Sequence, residues 1–373
     1  MKILMVYPYF DHPSSHTLCK GLVERGCKLT IFCCPHKNEK NLEGVEIIHT
    51  PYLFKLRPYF PISIPKVLSF EDFDILHLHE DYQLNTFYCS FLSRTRTSIP
   101  MILTEHYDGY TIENIGWRLL RSLTNTFIGK NVVRGCDRYI AQTTKSREYL
   151  INQGAEPKFI DILYHSVDTR LFTPRRSNAL NKYLSDDEIK FLFVGRLEKS
   201  KGIHCLVHAM KYVLQSGLNA KLFIIGKGSE ERSLKTLISS LNLTDSIIFL
   251  GNIPYESLPE FYNACDALIL PSLIDPSPSV ILEAMACGKP IIGSKVGGIE
   301  EVLVDRETGY LFNPNNNKEL SLLLRKFVKS PEIIQQFGKN SRKRIEEVYA
   351  LDKISEKHIK IYEKILAKNP KRK

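Results

Sequence analysis

The sequence predicts two doubly wound α/β domains in tandem, each a parallel sheet with helices on both faces. Three observations lead there. The chain has 373 residues, too many for one ordinary core and suited to two domains of roughly 100–200 residues each. Short β-branched runs alternate with longer stretches of helical period, the pattern of βαβ crossovers and parallel sheets. The alternation breaks once, at the polar and aperiodic "RLFTPRRSNALNKYLSDDE", and then restarts.

The first strand is "KILMVY". The opening "MKILMVYPYF" is too short in its apolar core, and lacks the cleavage site, for a secretory signal. A helix follows around Ser14–Arg25, then the strands "KLTIFCC", "VEIIHT", "DILHLHE", "MILTEH", "RYIAQT" and "FIDILY". After the break come "IKFLFVGR", a helix near Ile203–Gln215, "KLFIIGKG", a helix, "SIIFLGN", a helix, "ALILPS", a further helix and "PIIGS". The expected division is a first domain over 1–168, a linker over 169–188, a second domain over 189–345, and a C-terminal helix over 346–373. That last helix, with its basic tail, is expected to cross back to the first domain. Doubly wound sheets place ligands at the carboxyl ends of their strands, so the site is expected in the gap that two such sheets face.

Composition bounds the function. With 43% apolar and 25% charged residues the chain reads as a soluble globular protein. Its longest apolar runs, such as "FLFVG" and "ALILP", fall far below the roughly 20 residues a membrane span needs. Nine cysteines without a CxxC pair suit reduced thiols in a cytoplasmic chain rather than a disulfide framework or a zinc site. The net charge of +10 is uneven: residues 1–168 hold 19 Lys and Arg against 18 acids, 169–340 hold 21 against 18, and 341–373 hold 11 against 5. The excess therefore sits in the last helix and its "KNPKRK" tail, either a solvated helix end or a contact for anionic lipid. No nucleic-acid motif or aromatic-interleaved basic groove is present, so nucleic acid is not an expected partner.

Polar groups collect at the strand ends of the second half. "FLFVGRLEKSKG" puts Arg196 just past a strand and Lys201 one turn on. Two cations there suit a diphosphate, Arg as a planar fork and Lys as a mobile charge; a salt-bridged loop pair is the other reading. "IIGKGSEE" places Gly226 at the next strand end without the full GxGxxG spacing. In "SLIDPSPSVILEAMACGKPIIG", Ser272 to Gly293, Ser277 reads as a helix N-cap and Pro278 as the first helical residue. The amides of Ser279, Val280 and Ile281 are then expected unpaired at a positive helix end, fit for phosphate or sugar hydroxyls. Asp275 precedes that turn, where its carboxylate can accept from sugar hydroxyls. Glu283 lies deeper in an apolar helix, which favours a paired or functional carboxylate over a solvent-facing one.

These stretches in order, "VGRLEKSKG", "IIGKG", "FLGNIPYESLPEFYNACDALILPS" and "DPSPSVILEAMACGKPII", followed by "SKVGGIEEVLVDRETGYLFNP", resemble retaining glycosyltransferase family 4. That family is built on the GT-B fold, two Rossmann-like domains facing a central cleft. The resemblance is strong over 189–310 and weak over 1–168. It implies that the acids Asp275 and Glu283 contact the donor sugar and the ribose hydroxyls of a nucleotide-sugar. It implies that Arg196 and Lys201 hold the diphosphate and stabilise the leaving nucleotide, with Gly226 beside it and neither metal nor cofactor. "ILTEHYDG" is similar to the family's T-x-H-D segment and puts His106 near the reacting sugar. Ser14 and Ser15 stand where relatives carry a Gly-Gly pair near the donor phosphate, which leaves His16 open as a contact. Asp275 replaces the commoner Glu, one methylene shorter. "YHSVDTRLF" leaves Val167, Asp168 and Phe172 as the marker of an interdomain hinge. His77 and His79, on one face of their strand, are read as structural, and "DFD" at Asp72–Asp74 as a surface turn rather than a metal motif.

The expected activity is transfer of a hexose-type sugar from a UDP- or GDP-sugar to a glycan or lipid-linked acceptor hydroxyl. The rivals are a catalytically silent nucleotide-sugar-binding subunit and a nucleotide-sugar epimerase of the same architecture. Missing GxGxxG after the first strand counts against a nicotinamide-dependent dehydrogenase. Residues 51–70, with Lys55, Arg57 and Lys66, and the stretch holding Trp117, Arg118, Arg121, Phe127, Ile128, Lys130 and Arg134 mix apolar anchors with cations. They suit either peripheral association with an anionic membrane or helices packed on their own sheet.

Overall fold

The inner apolar runs become strands buried on both faces, as parallel sheets between helix layers require, while the edge strands stay partly exposed. In the computed structural model every residue is described except 11–12, 36–40, 50–51, 56–60, 64–69, 82, 107–124, 185–187 and 369–373. The chain divides into two units, Met1–Ser166 with Leu351–Lys373, and Val167–Ala350.

In unit 1 the strands are β1 (Lys2–Tyr9), β2 (Lys28–Cys34), β3 (Val45–His49), β6 (Ile75–His79), β7 (Met101–Glu105), β8 (Arg138–Ala141) and β9 (Ile160–Ile162), with a small antiparallel pair, β4 (Tyr52–Lys55) and β5 (Pro61–Ser63), set apart. They form a seven-stranded sheet in the order β3-β2-β1-β6-β7-β8-β9, and its ladders are parallel. Alternation along β1 sends Ile3, Met5 and Tyr7 into one core layer and Leu4 and Val6 into the other. The first layer is closed by α1 (Pro13–Val23) and by the C-terminal helix α12 (Leu351–Lys368), which contributes Ile361, Tyr362 and Ile365. The second is closed by α2 (Leu84–Arg96), α3 (Lys130–Gly135) and α4 (Thr144–Gln153), which bring Cys89, Leu92, Val132, Val133 and Leu150. Thr143 caps α4 from its side chain, and Gly154 ends it in the left-handed conformation.

A buried polar line ties α12 to this sheet. His77 shares hydrogen bonds with Tyr362 Oη (2.8 Å) and with Thr104 Oγ1 (2.7 Å). The expected structural part of His77 thus has a definite form. Asp74 Oδ2 accepts from the Lys2 amide at 2.8 Å, so the DFD stretch serves the start of β6.

Unit 2 holds a six-stranded parallel sheet in the order β12-β11-β10-β13-β14-β15. Its strands are β10 (Ile189–Val194), β11 (Ala220–Ile225), β12 (Ile247–Gly251), β13 (Ala267–Leu270), β14 (Ile291–Ser294) and β15 (Gly309–Phe312). Helices α5 (Ile203–Gln215), α6 (Glu231–Ser240), α7 (Leu258–Ala264), α8 (Ser279–Ala286), α9 (Gly297–Val302), α10 (Asn317–Lys329) and α11 (Pro331–Arg344) complete it. In α5 Ile203, Leu206, Val207, Met210 and Val213 recur at three- and four-residue steps and are buried, which fixes the face it turns to Phe191 and Phe193.

Two boundaries differ from the sequence reading. The stretch 169–188 is part of unit 2 rather than a free linker: Phe172 and Leu180 are fully buried, and Arg342 donates to the Phe172 carbonyl at 2.9 Å. Its scattered apolar residues have no period because they pack one at a time. Residues 346–350 also belong to unit 2, where Ala350 bridges Val167. All nine cysteines are buried and none is in a disulfide. Among the described residues no helix is long and apolar enough to cross a membrane.

Candidate active site

In unit 2 the strand order reverses between β10 and β13, the place where a doubly wound sheet opens a crevice at its carboxyl edge. Lys201 and Asp275 lie on the segments that leave those two strands, and the fold brings them together. Lys201 Nζ donates to Asp275 Oδ2 at 2.8 Å, and Ser272 Oγ donates to the same oxygen at 2.9 Å. Their side chains are 18% and 7% exposed, so the ion pair is largely desolvated. An ammonium has three protons, which leaves Lys201 donors beyond the one given to Asp275.

Local chemistry explains the placement. Lys201 closes a 3₁₀ turn, and Gly202 follows at φ 62° as the left-handed entry to α5. A Cβ at Gly202 would stand 2.0 Å from the Pro271 carbonyl oxygen, so only glycine lets the two strand ends approach this closely. Ser294 at the end of β14 donates to the Ser272 carbonyl, and the Gly298 amide donates to the Asp275 carbonyl at 3.0 Å. The loop carrying Asp275 is thus held from both sides.

Arg196 follows β10 but turns outward. Its side chain is 62% exposed and its Nη1 donates to Glu198 Oε1 at 2.7 Å. Gly226 follows β11 at φ 135°, its amide donating to the Gly251 carbonyl at 2.7 Å. A Cβ there would lie 1.9 Å from the Gly195 carbonyl oxygen, so packing between neighbouring strand ends already requires glycine at this position.

Glu283 is buried on α8 at 3% exposure, and Tyr262 from α7 donates its hydroxyl to Oε2 at 2.8 Å. Burial raises the Glu283 carboxyl to about 7, while hydrogen bonds from Tyr262 and Ser279 pull it down. The start of α8 is one residue later than its sequence suggests. Pro278, at ψ 109°, is the N-cap and Ser279 the first helical residue. The Ile281 amide is not free: it donates to the Pro278 carbonyl at 3.3 Å. Among the described backbone hydrogen bonds none is donated by the Ser279 or Val280 amide.

His106, Ser14 and Ser15 belong to unit 1. Ser14 and Ser15 lie in the first turn of α1 after β1. His106 directly follows β7, and its Nε2 shares a hydrogen bond with His79 Nδ1 at 3.2 Å. It stacks at 5.5 Å on His79 and 5.6 Å on His165, and Tyr7 stacks on His79 at 3.8 Å. Burial lowers the His106 imidazole below its ordinary range, opposed by Glu80 and by a hydrogen bond with Gln142. His16 bonds the Phe10 carbonyl at 3.3 Å. Most of 51–70, and Trp117, Arg118 and Arg121, lie outside the described residues.

The sequence reading missed Tyr262 and Ser272, which hold the two acids. Nothing in "EFYNACDA" sets Tyr262 apart from a core aromatic, and Ser272 reads as a loop serine. Among the described residues no cluster of three or more His, Cys, Asp or Glu could hold a metal ion.

Comparison with known proteins joins these observations. The family described as Glycosyl transferases group 1 matches residues 176–344, and Glycosyltransferase Family 4 matches residues 14–171. N-acetyl-alpha-D-glucosaminyl L-malate synthase from Bacillus anthracis is 27% identical over 367 residues, covering 94% of this chain and 92% of that protein. Sucrose-phosphate synthase from Thermosynechococcus elongatus superimposes with a TM-score of 0.81 at 21% identity, covering 98% of this chain and 99% of that one. Anabaena HepE, solved in complex with UDP, superimposes with a TM-score of 0.75 at 19% identity over 96% and 99%. With both halves matched, the chain belongs to the group 1, family 4 glycosyltransferases and has the GT-B fold.

Proposed function

We propose that this glycosyltransferase works with retention and without a metal ion, moving a hexose-type sugar from a UDP- or GDP-sugar to a hydroxyl of a glycan or lipid-linked acceptor. The observation that carries the reading is the Lys201–Asp275 pair at the switch point of unit 2. Glu283, on the helix that follows, supplies a second acid of different environment. In this reading Lys201 and Arg196 neutralise the diphosphate, and the Ser279 and Val280 amides add the positive end of α8. Arg196 exchanges its exposed contact with Glu198 for the phosphate, a change that costs little at a solvent-facing ion pair. Asp275 accepts from hydroxyls of the donor sugar while Lys201 and Ser272 fix its orientation. Glu283 accepts from the ribose, and Gly226 gives the nucleotide room. His106, Ser14 and Ser15 keep the roles the family resemblance implies, near the reacting sugar and the donor phosphate.

The reaction needs no carboxylate nucleophile. The bond from the anomeric carbon to the β-phosphate oxygen breaks as the acceptor oxygen bonds to the same face. The departing phosphate oxygen takes the acceptor proton. Cations fixed beside that phosphate stabilise the charge as it develops, often the largest single catalytic contribution. UDP is the first base to test, because Anabaena HepE was solved with it. Peripheral contact with an anionic membrane on the cytoplasmic side belongs to the same proposal. Phe127, 68% exposed, in the same stretch as Lys130 and Arg134, supports it.

The test is incubation with radiolabelled UDP- and GDP-sugars, with and without membrane lipid extract and with excess chelator. Labelled glycan or lipid of retained anomeric configuration, undiminished by chelator, is expected. Sugar interconversion without acceptor would establish an epimerase instead, and nucleotide binding without turnover a silent subunit.

A further inference from the structure

Glu283 is reached by a side chain that no motif assigns. Tyr262 is fully buried on α7, and its ring meets Phe172 edge-on at 6.0 Å while Phe172 meets Tyr255 at 5.4 Å. That packing leaves the phenol little freedom, and its hydroxyl sits on one carboxylate oxygen of Glu283 at 2.8 Å. Among the described ion pairs none involves Glu283, so a neutral donor holds a buried acid.

We infer that Tyr262 is a positioning residue for nucleotide binding: it fixes one oxygen of Glu283, turns the acceptor positions that Tyr262 and Ser279 leave open toward ribose hydroxyls, and ties nucleotide affinity to the ionisation of that carboxyl. The inference rests on the reading of Glu283 given above. A carboxylate accepts from hydroxyls at both oxygens, whereas a protonated carboxyl gives up part of that capacity. Burial puts the Glu283 carboxyl at about 7, so the group changes charge in the neutral range. The neighbouring polar groups are Tyr262 from α7, Ser279 and Cys287 from the two ends of α8, and Tyr255 ahead of α7. Arg342 from α11 gives its proton to the Ala286 carbonyl rather than to the acid, and Lys289 donates to the Asn263 carbonyl. The Tyr262 hydrogen bond favours the ionised acid, so its removal moves the ionisation upward in pH.

Calorimetric titration of UDP and GDP between pH 6 and 9, on the wild type, Tyr262→Phe and Glu283→Gln, tests this. Wild-type affinity for the nucleotide it binds is expected to rise about tenfold from pH 6 to pH 8, as a carboxyl titrating near 7 dictates. Tyr262→Phe binds about tenfold more weakly at pH 7, with its midpoint moved up and the gap narrowing by pH 9. Glu283→Gln binds weakly at every pH with a flat profile. If Glu283→Gln matches the wild type, or the wild type binds neither nucleotide, the reading of Glu283 fails and takes the inference with it. If Glu283→Gln is weak while Tyr262→Phe keeps the wild-type affinity and midpoint, the inference alone fails. A lowered melting temperature with an unmoved profile makes Tyr262 a packing residue only. Should Tyr262→Phe not fold, 3,5-difluorotyrosine placed at position 262, a stronger donor of the same shape, must move the midpoint down; an unmoved midpoint overturns the inference.

Discussion

Lys201 and Asp275 depend on each other before any ligand arrives. Replacing Lys201 with Ala would leave a buried carboxylate with Ser272 as its remaining side-chain donor, a loss expected at about 3 kcal/mol. Lys201→Ala with Asp275→Asn removes the stranded charge, so urea midpoints should show most of that stability restored while transfer stays abolished. Full recovery of transfer in the double variant would refute the site. The histidines of unit 1 set a pH dependence of their own. His77, His79, His106 and His358 are all held below the ordinary imidazole range by burial, and His358 reaches about 4. Their folded pKa values are depressed, so the unfolded chain binds more protons between pH 6.5 and 4 and stability falls across that window on acidification. His358 alone accounts for about 3 kcal/mol; urea titrations at pH 7.5 and 5 check the fall, and His358→Phe should lessen it while the other three histidines keep the rest. At this scale the pairing of Glu283 was legible, because a carboxylate inside an apolar run demands a partner. The partners were not, because a tyrosine inside a core and a serine inside a loop look like any others.

Most strands and helices could be read from period and composition, since buried parallel strands are continuous apolar runs that vary little with context. The departures are local. The entry to α8 slipped by one residue, a shift within the uncertainty of any helix end, yet it pairs one of the three amides assigned to the ligand. The stretch 169–188 hides its packing because Phe172 and Leu180 are isolated apolar residues in a polar segment. β15 was not expected at all: "GYLF" is a four-residue run behind a glycine, too short to show a period. The loop between β10 and α5 is the element most sensitive to sequence. Gly202→Ala faces both φ 62° and a carbonyl oxygen 2.0 Å away, and should cost more than about 2 kcal/mol. A thermal melt unchanged by this substitution would contradict the geometry described for the turn.

At the scale of the whole molecule, the proposed nucleotide site and the C-terminal helix belong to different units. A nucleotide held by Lys201, Glu283 and the start of α8 stabilises by about 2.7 kcal/mol at a hundred times its dissociation constant. Hydrogen exchange should then slow over 196–202 and 270–285, and slowing confined to other segments would place the nucleotide elsewhere. Ending the chain at Ala350 strips Ile361, Tyr362 and Ile365 from the core of unit 1 and takes from His77 its hydrogen bond with Tyr362, leaving the one with Thr104. Dye binding to exposed apolar surface and poor solubility are expected of that truncation. The same arrangement has a consequence for biosynthesis. Unit 1 is made first over Met1–Ser166 but is completed only by the segment that starts at Leu351. A ribosome must extrude the whole of Val167–Ala350 while the apolar face under α12 stands open, a delay on the order of 10–40 s at ordinary elongation rates. During translation Val167–Ala350 can close its core first, and the earlier-made part of unit 1 waits, a natural client for chaperones until α12 emerges.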